Sequence, residues 1–162
     1  MDPILLTAPI EPHPGESRRD AERRTVASLL SAHYGHPVTV EHDDIGAPRI
    51  ARCRDYISIS HCRDMAVVAI ANEPIGVDVE TWREQLPRIA DKFLTQAEQQ
   101  AIGTDHELLL RAWTTKEAVY KLYHRPGTPL RDIPLSSTSL LITHPISSPD
   151  RVVTLAQYAQ EP

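Results

Sequence analysis

Apolar and polar positions follow two different periods along this chain, and the change of period marks its elements. Residues 1–15 hold several prolines and are expected to be irregular. From Glu16 the pattern turns helical: Val26, Leu29, Leu30 and Tyr34 recur at helical spacing, Glu16 and Ser17 offer polar caps, and Gly35 and Pro37 stop the run. Val38–Glu41 reads as a short strand, and Asp43 to Arg54 as a loop containing Gly46 and Pro48. Tyr56-Ile57-Ser58-Ile59-Ser60 then alternates, and Met65 to Ala71 is continuously apolar. With His61-Cys62-Arg63-Asp64 between them, the two runs predict a β-hairpin. After the break at Asn72-Glu73-Pro74, Ile75 to Glu80 alternates again and predicts a third strand.

The second half opens with a helical stretch over Leu86 to Phe93. Thr95 followed by Glu98 is a capping box for a helix to Ile102. A long helix is expected from about Asp105 to Tyr123, ended by Pro126-Gly127, and two strand-like pieces follow at Ser139–Thr143 and Val152–Leu155. The halves meet near residues 72–74, each with a helix and a few strands, and there is no clear repeat. The predicted class is α+β with antiparallel hairpins rather than a strict βαβ alternation.

Composition narrows the partners. The chain has 162 residues, 41% hydrophobic and 24% charged, with a net charge of −5. That length suits one domain or two small lobes sharing a core. The acidic balance argues against a general nucleic-acid binder, which needs a basic surplus. No apolar run approaches the ~20 residues that span a bilayer. The N-terminus lacks the basic region of a signal peptide, and the cysteines, Cys53 and Cys62, fit free thiols in a reducing compartment. The expectation is a cytoplasmic protein.

Candidate chemistry lies in three places. Asp78 and Glu80 share one face of a strand, ~6–7 Å apart, while Val77 and Val79 face the core. Two carboxylates side by side repel unless a cation or basic group lies between them. Taken alone, the pair also fits an exposed strand face. On the long helix, Leu108, Ala112, Val119 and Leu122 form a core-facing stripe, and Trp113, Glu117, Tyr120, Lys121 and His124 fall opposite. Glu117 and Lys121 at i and i+4 are either a helix-stabilising ion pair or a third carboxylate with a lysine, Lys116 lying beside them. An all-oxygen donor set suits magnesium, which shares carboxylates with waters and substrate phosphates. No zinc-type Cys/His spacing is present. Third, Ser60 and His61 stand at a strand end where hydroxyl, imidazole and backbone N–H groups suit a phosphate or a hairpin cap.

Four motifs now stand in order: I-S-I-S-H (57–61), G-V-D-V-E (76–80), K-F-L-T-x-x-E (92–98) and W-x-x-K-E-A-x-x-K (113–121). Each is weak alone; the set, over about Asp20 to Pro129, resembles the 4′-phosphopantetheinyl transferase superfamily. More narrowly it is similar to the two-lobed type that activates peptide and polyketide synthetases. The resemblance implies two small similar α+β lobes, about 16–72 and 75–162 of a single domain 1–162, with the active site between them. It implies Mg²⁺ on Asp78, Glu80 and Glu117, and coenzyme A as substrate, with Ser60 and His61 at its phosphates and His61 near the 3′-phosphate. Lys116 and Lys121 would lie near the pyrophosphate and Thr25 in the nucleotide pocket. Glu117 and Lys121 are the implied catalytic pair, as base and as stabiliser of the leaving phosphate. Gly46-Ala47-Pro48 replaces a frequent Gly-Lys-Pro, with Arg49 as the substitute for the missing lysine. The implied partner is an acyl or peptidyl carrier protein, and the implied activity is that of a holo-acyl-carrier-protein synthase acting as a monomer. The alternatives are a non-catalytic coenzyme A or carrier-binding module of the same fold and a magnesium phosphodiesterase. For the acidic carrier, Arg83, Arg88 and Lys92 form the candidate basic patch.

Overall fold

The computed structural model describes residues 2–159. It is an α+β fold of antiparallel sheets and four helices, as the periodicity predicts. The first helix, α1 (Arg18–Tyr34), starts where Ser17 accepts a hydrogen bond from the Asp20 amide and ends at Gly35, left-handed at φ 72°. It lays Ala21, Val26 and Leu30 on a sheet made of β1 (Ile4–Pro9), β5 (Met65–Ala71) and β4 (Tyr56–His61). The apolar β5 is central, which is why it carries no alternation: both of its faces are covered. A small hairpin, β2 (Val40–His42) with β3 (Pro48–Ile50), lies beside it.

A second sheet holds β6 (Ile75–Thr81), β8 (Arg151–Tyr158) and β7 (Leu140–Ser147) in that order. Its helix is α4 (His106–Tyr123), capped by Asp105, whose side chain accepts from the Leu108 amide. Gly76 is what lets α4 lie directly on β6, since a Cβ there would collide with the Ala118 carbonyl. Between β6 and α4 the chain makes a 3-10 turn (Pro87–Ile89), the short α2 (Ala90–Phe93) and α3 (Gln96–Ile102). The Thr95/Glu98 capping box forms as the sequence predicts.

Five expectations need correction. Residues 4–9 are a strand, not irregular: Pro3 and Pro9 only bracket them, and β5 supplies a six-residue partner ladder. The expected loop 43–54 contains β3, too short to show a period. The last two strands are longer than expected, at 8 residues each. The stretch 86–93 is a 3-10 turn that starts at Pro87, followed by one helical turn. On α4, Leu108 is exposed rather than buried, while Leu109, Leu110, Thr114, Thr115 and Lys116 are buried. The helix is covered on more than one side, by its sheet and by α2 with the 3-10 turn Leu130–Asp132, so a single-stripe reading underestimates its burial.

Candidate active site

The two three-stranded sheets meet along β4 and β6, and the I-S-I-S alternation explains the seam. Ser58 and Ser60 point to the same face of β4, toward the open edge of β6. Ser58 Oγ accepts from the Val77 amide at 3.0 Å and Ser60 Oγ from the Val79 amide at 3.3 Å. Two serines thus satisfy edge N–H groups that would otherwise be buried without partners. Ser60 Oγ also donates to Asp78 Oδ1 at 2.8 Å. Lys121, reaching across from α4, donates to the same Oδ1 at 2.9 Å, to the Val77 carbonyl at 2.9 Å and to the Ile59 carbonyl at 3.4 Å.

Asp78, on the core side of this network, is buried. Glu80, two residues along the strand, pairs with Arg83 at 2.8 Å. Glu117 sits one turn before Lys121 on α4. Burial pushes the Glu117 carboxyl up, Asp78 and Glu80 push it further, and Lys121 and Arg83 only partly oppose them. Burial also raises Glu80, with Arg83 pulling the other way and Asp78 adding to the rise. The three acids therefore share one field and carry more negative charge than the chain neutralises, which a hard cation with oxygen ligands would relieve. Their donor chemistry fits such an ion. As they stand, no three Asp, Glu, His or Cys side chains among the described residues are gathered closely enough to hold one. Lys121 pairs with Asp78 at 2.9 Å and Arg83 with Glu80 at 2.8 Å.

A cleft of about 560 Å³ opens beside this cluster, lined by Gly46, Ala47, Ser60, His61, Lys121 and His124 among others. His61 is exposed there, its Nε2 3.3 Å from Glu22 Oε2 on α1. A larger cleft of about 790 Å³ adjoins it and shares Ala47, Pro48, Lys121 and His124 among others. We take the smaller one as the site because Ser60 and Lys121, both bonded to Asp78, form its wall.

The remaining expected residues are placed differently. Lys116 is not at the site. Its ammonium is fully buried, bonded to Glu98 Oε2 at 2.8 Å and to the Ile133 carbonyl at 2.8 Å, so it faces α3 and the turn at 130–133. Glu98, which also closes the Thr95 capping box, is thus its counter-ion. Thr25 is buried under α1 with its hydroxyl on the Ala21 carbonyl at 2.8 Å and lines neither cleft. Arg49 is exposed on the larger cleft and rests loosely on Asp43 at 3.3 Å.

The sequence did not reveal one ion pair beside the cleft: His124, in its lining, meets Asp43 at 2.9 Å. Burial alone would raise Asp43, but the Ala47 amide, His124 and the Ile45 amide outweigh it and hold the carboxyl down at about 2. The pair fastens the loop carrying Gly46 and Ala47 to the end of α4, where His124 is left-handed at φ 52°. An Asp two and four residues before the amides it accepts is a turn signal; its second partner, 81 residues on, is not visible in sequence.

No curated protein matches the chain in sequence. A family model, described as the 4′-phosphopantetheinyl transferase superfamily, matches residues 74–158, more than half of the 162. The match takes in β6 with Asp78 and Glu80, all of α4 with Glu117 and Lys121, and both final strands. The chain belongs to the 4′-phosphopantetheinyl transferase superfamily.

Proposed function

We infer that the protein transfers the 4′-phosphopantetheine arm of coenzyme A to a serine of an acyl or peptidyl carrier protein, releasing adenosine 3′,5′-bisphosphate, and that the reaction needs Mg²⁺. The observation that carries this reading is the junction at Asp78. A cleft wall made of Ser60 and Lys121 is bonded directly to a buried carboxylate whose charge reaches Glu117. A diphosphate ester in that cleft would meet Lys121 and His61, with the carboxylate of Asp78 directly behind Ser60 and Lys121.

In this reading the carrier serine oxygen attacks the phosphorus next to pantetheine, a new P–O bond forms, and the bond to the bridging oxygen breaks. Positioning and charge neutralisation dominate such transfers. Asp78, Glu80 and Glu117 would hold magnesium, which supplies neutralisation of diphosphate charge when bound. Glu117, directly or through a water, is the candidate base for the serine hydroxyl. Lys121, fixed by two carbonyls, meets the charge developing on the leaving phosphate. The Asp43–His124 pair holds the cleft loop in place while the nucleotide binds. The two sheets with α1 and α4 are the proposed lobes, working as a monomer in the cytoplasm.

The deciding experiment incubates the protein with coenzyme A, Mg²⁺ and an apo carrier protein and weighs the carrier. A mass gain of one phosphopantetheine is expected. Coenzyme A consumed without a carrier would mean a phosphodiesterase, and binding without either change would mean a non-catalytic module.

A second result is expected at His61, which is exposed in the cleft. His61→Ala should raise the KM for coenzyme A by about tenfold while leaving that for dephospho-coenzyme A within about twofold, since a charge-assisted contact to phosphate is worth roughly 1.5 kcal/mol. Equal losses for both substrates would remove His61 from the 3′-phosphate.

A further inference from the structure

We propose that the larger cleft is a binding site for a phosphate monoester carried on a planar ring, as in a nucleoside monophosphate, with Arg52 and Arg54 meeting the phosphate and Tyr56 and Tyr158 the ring. Such a site goes beyond the transferase reading and stands without it.

The chain as a whole carries a net charge of −5, yet one stretch from β3 to the start of β4 gathers Arg49, Arg52 and Arg54. All three are exposed, and they line the larger cleft but not the smaller. Arg49 rests on Asp43; Arg52 and Arg54 make no ion pair or side-chain hydrogen bond among the described residues. Neither acid of the lining, Glu41 or Asp55, pairs with them, and Asp55 accepts instead from the Tyr34 hydroxyl at 2.6 Å. The cations shared with the smaller cleft, Lys121 and His124, are held by Asp78 and Asp43. Two guanidinium groups without counter-ions suit a dianion, and their planar forks match phosphate oxygens.

The backbone points the same way independently. Among the described residues, the non-glycine residues with a left-handed backbone are Arg52, at φ 60°, and His124, at φ 52°, and both line this cleft. His124 caps α4. Arg52 stands third in a turn closed by the Cys53 amide on the Ile50 carbonyl at 3.1 Å, a place that glycine or asparagine takes without steric cost. An arginine held there against its backbone preference is the kind of strain that gathers at binding sites.

The ring has its own surfaces. Tyr56 on β4 and Tyr158 on β8 are 43% and 44% exposed and come from different sheets. Tyr123 stacks on Tyr158, with ring planes 16° apart and centroids 6.5 Å apart. Exposed tyrosine faces are platforms for a planar base. A concave site of about 790 Å³ suits a small ligand of that size.

Coenzyme A carries the same chemistry at its 3′-phosphorylated adenosine, so the test separates the two sources. Adenosine 5′-monophosphate, ribose 5-phosphate and adenosine are titrated into the full chain by calorimetry at constant ionic strength, without Mg²⁺ or carrier. Thermal melts check the fold of each variant. Adenosine 5′-monophosphate should bind at least about tenfold tighter than either half. Arg52→Gln with Arg54→Gln should weaken it by about tenfold or more. Tyr56→Ala should weaken it by about fivefold and leave ribose 5-phosphate within about twofold. His61→Ala, on the smaller cleft, should change it by less than about twofold. Arg52→Gly should melt no lower than wild type and still bind more weakly, since glycine relieves the turn and removes a phosphate partner. The arginine double variant names the source: weakened coenzyme A with unchanged dephospho-coenzyme A means the substrate's own 3′-phosphate, and both unchanged means a separate nucleotide. No binding of adenosine 5′-monophosphate, unchanged binding by the double variant, or a loss with His61→Ala in its place would each overturn the site. Ribose 5-phosphate bound as tightly as the nucleotide would overturn the ring and with it the ligand class. None of these outcomes enters the carrier mass assay, so the transferase reading stands or falls apart from them.

Discussion

Alanine at Asp78, Glu80 or Glu117 is expected to lower magnesium-dependent transfer by at least about a hundredfold, the loss of roughly 3 kcal/mol of transition-state stabilisation. The three variants should differ in stability, and that difference tests the geometry independently of activity. Asp78 accepts from Ser60 and Lys121 and is buried, so Asp78→Ala strands both donors and should destabilise the protein. Glu117 accepts no hydrogen bond among the described residues, and its carboxyl is raised by burial and by Asp78. A group raised in the folded state contributes stability that is complete below its unfolded value, 4.5, and is lost as pH rises through the folded one. The Glu117 contribution to stability should therefore fall as pH rises above about 4.5 in the absence of metal, and Glu117→Gln should lack that part of the pH dependence. At neutral pH without metal, Glu117→Gln should melt at or above the wild-type temperature, and added Mg²⁺ should stabilise wild type more than the variant. Thermal melts from pH 4 to 8 with and without Mg²⁺, beside the carrier mass assay, check all of this. Near-normal turnover by any of the three at saturating Mg²⁺ would remove that residue from the ligand set.

The second large effect is expected far from the chemistry, at Glu98 and Lys116. Lys116 is wholly buried, and Glu98 and two carbonyls are its only partners among the described residues. Glu98→Gln keeps an acceptor for the Thr95 amide but leaves the ammonium without its counter-charge. Breaking such a pair from one side costs about 3–5 kcal/mol. Lys116→Met removes the charge instead and leaves Glu98, still partly solvated, at the surface; it should cost less. The double variant should be more stable than Glu98→Gln alone, a coupling that urea unfolding of the four proteins would measure. The KM for coenzyme A should be unchanged in folded Lys116→Met. A Lys116→Met protein of wild-type stability with weakened coenzyme A binding would return this lysine to the pyrophosphate.

The contrast between neighbouring Lys116 and Lys121 shows where local pattern stops being informative. Capping, period and turn chemistry act within a few residues, so Ser17, the Thr95/Glu98 box, the I-S-I-S strand and the span of α4 were all readable. The motif order alone pointed to the family, and spacing placed Asp78 and Glu80 on one strand and Glu117 with Lys121 on one helix. Which way a long side chain reaches depends instead on what packs opposite it. Lys116 meets residues 17 and 18 positions away and Lys121 one 62 positions away, distances at which no periodicity carries a signal. The strand at 4–9 escaped notice for the same reason, because it acquires its ladder only from β5. So the sequence by itself determined most of the elements and put Asp78 with Glu80 on one strand and Glu117 with Lys121 on one helix. Only the tertiary structure decided that Ser58 and Ser60 close an open sheet edge, that Glu98 neutralises a buried lysine, and that Arg83 pairs with Glu80. Those outcomes depend on burial and on partners brought together by the sheets, and local sequence encodes neither.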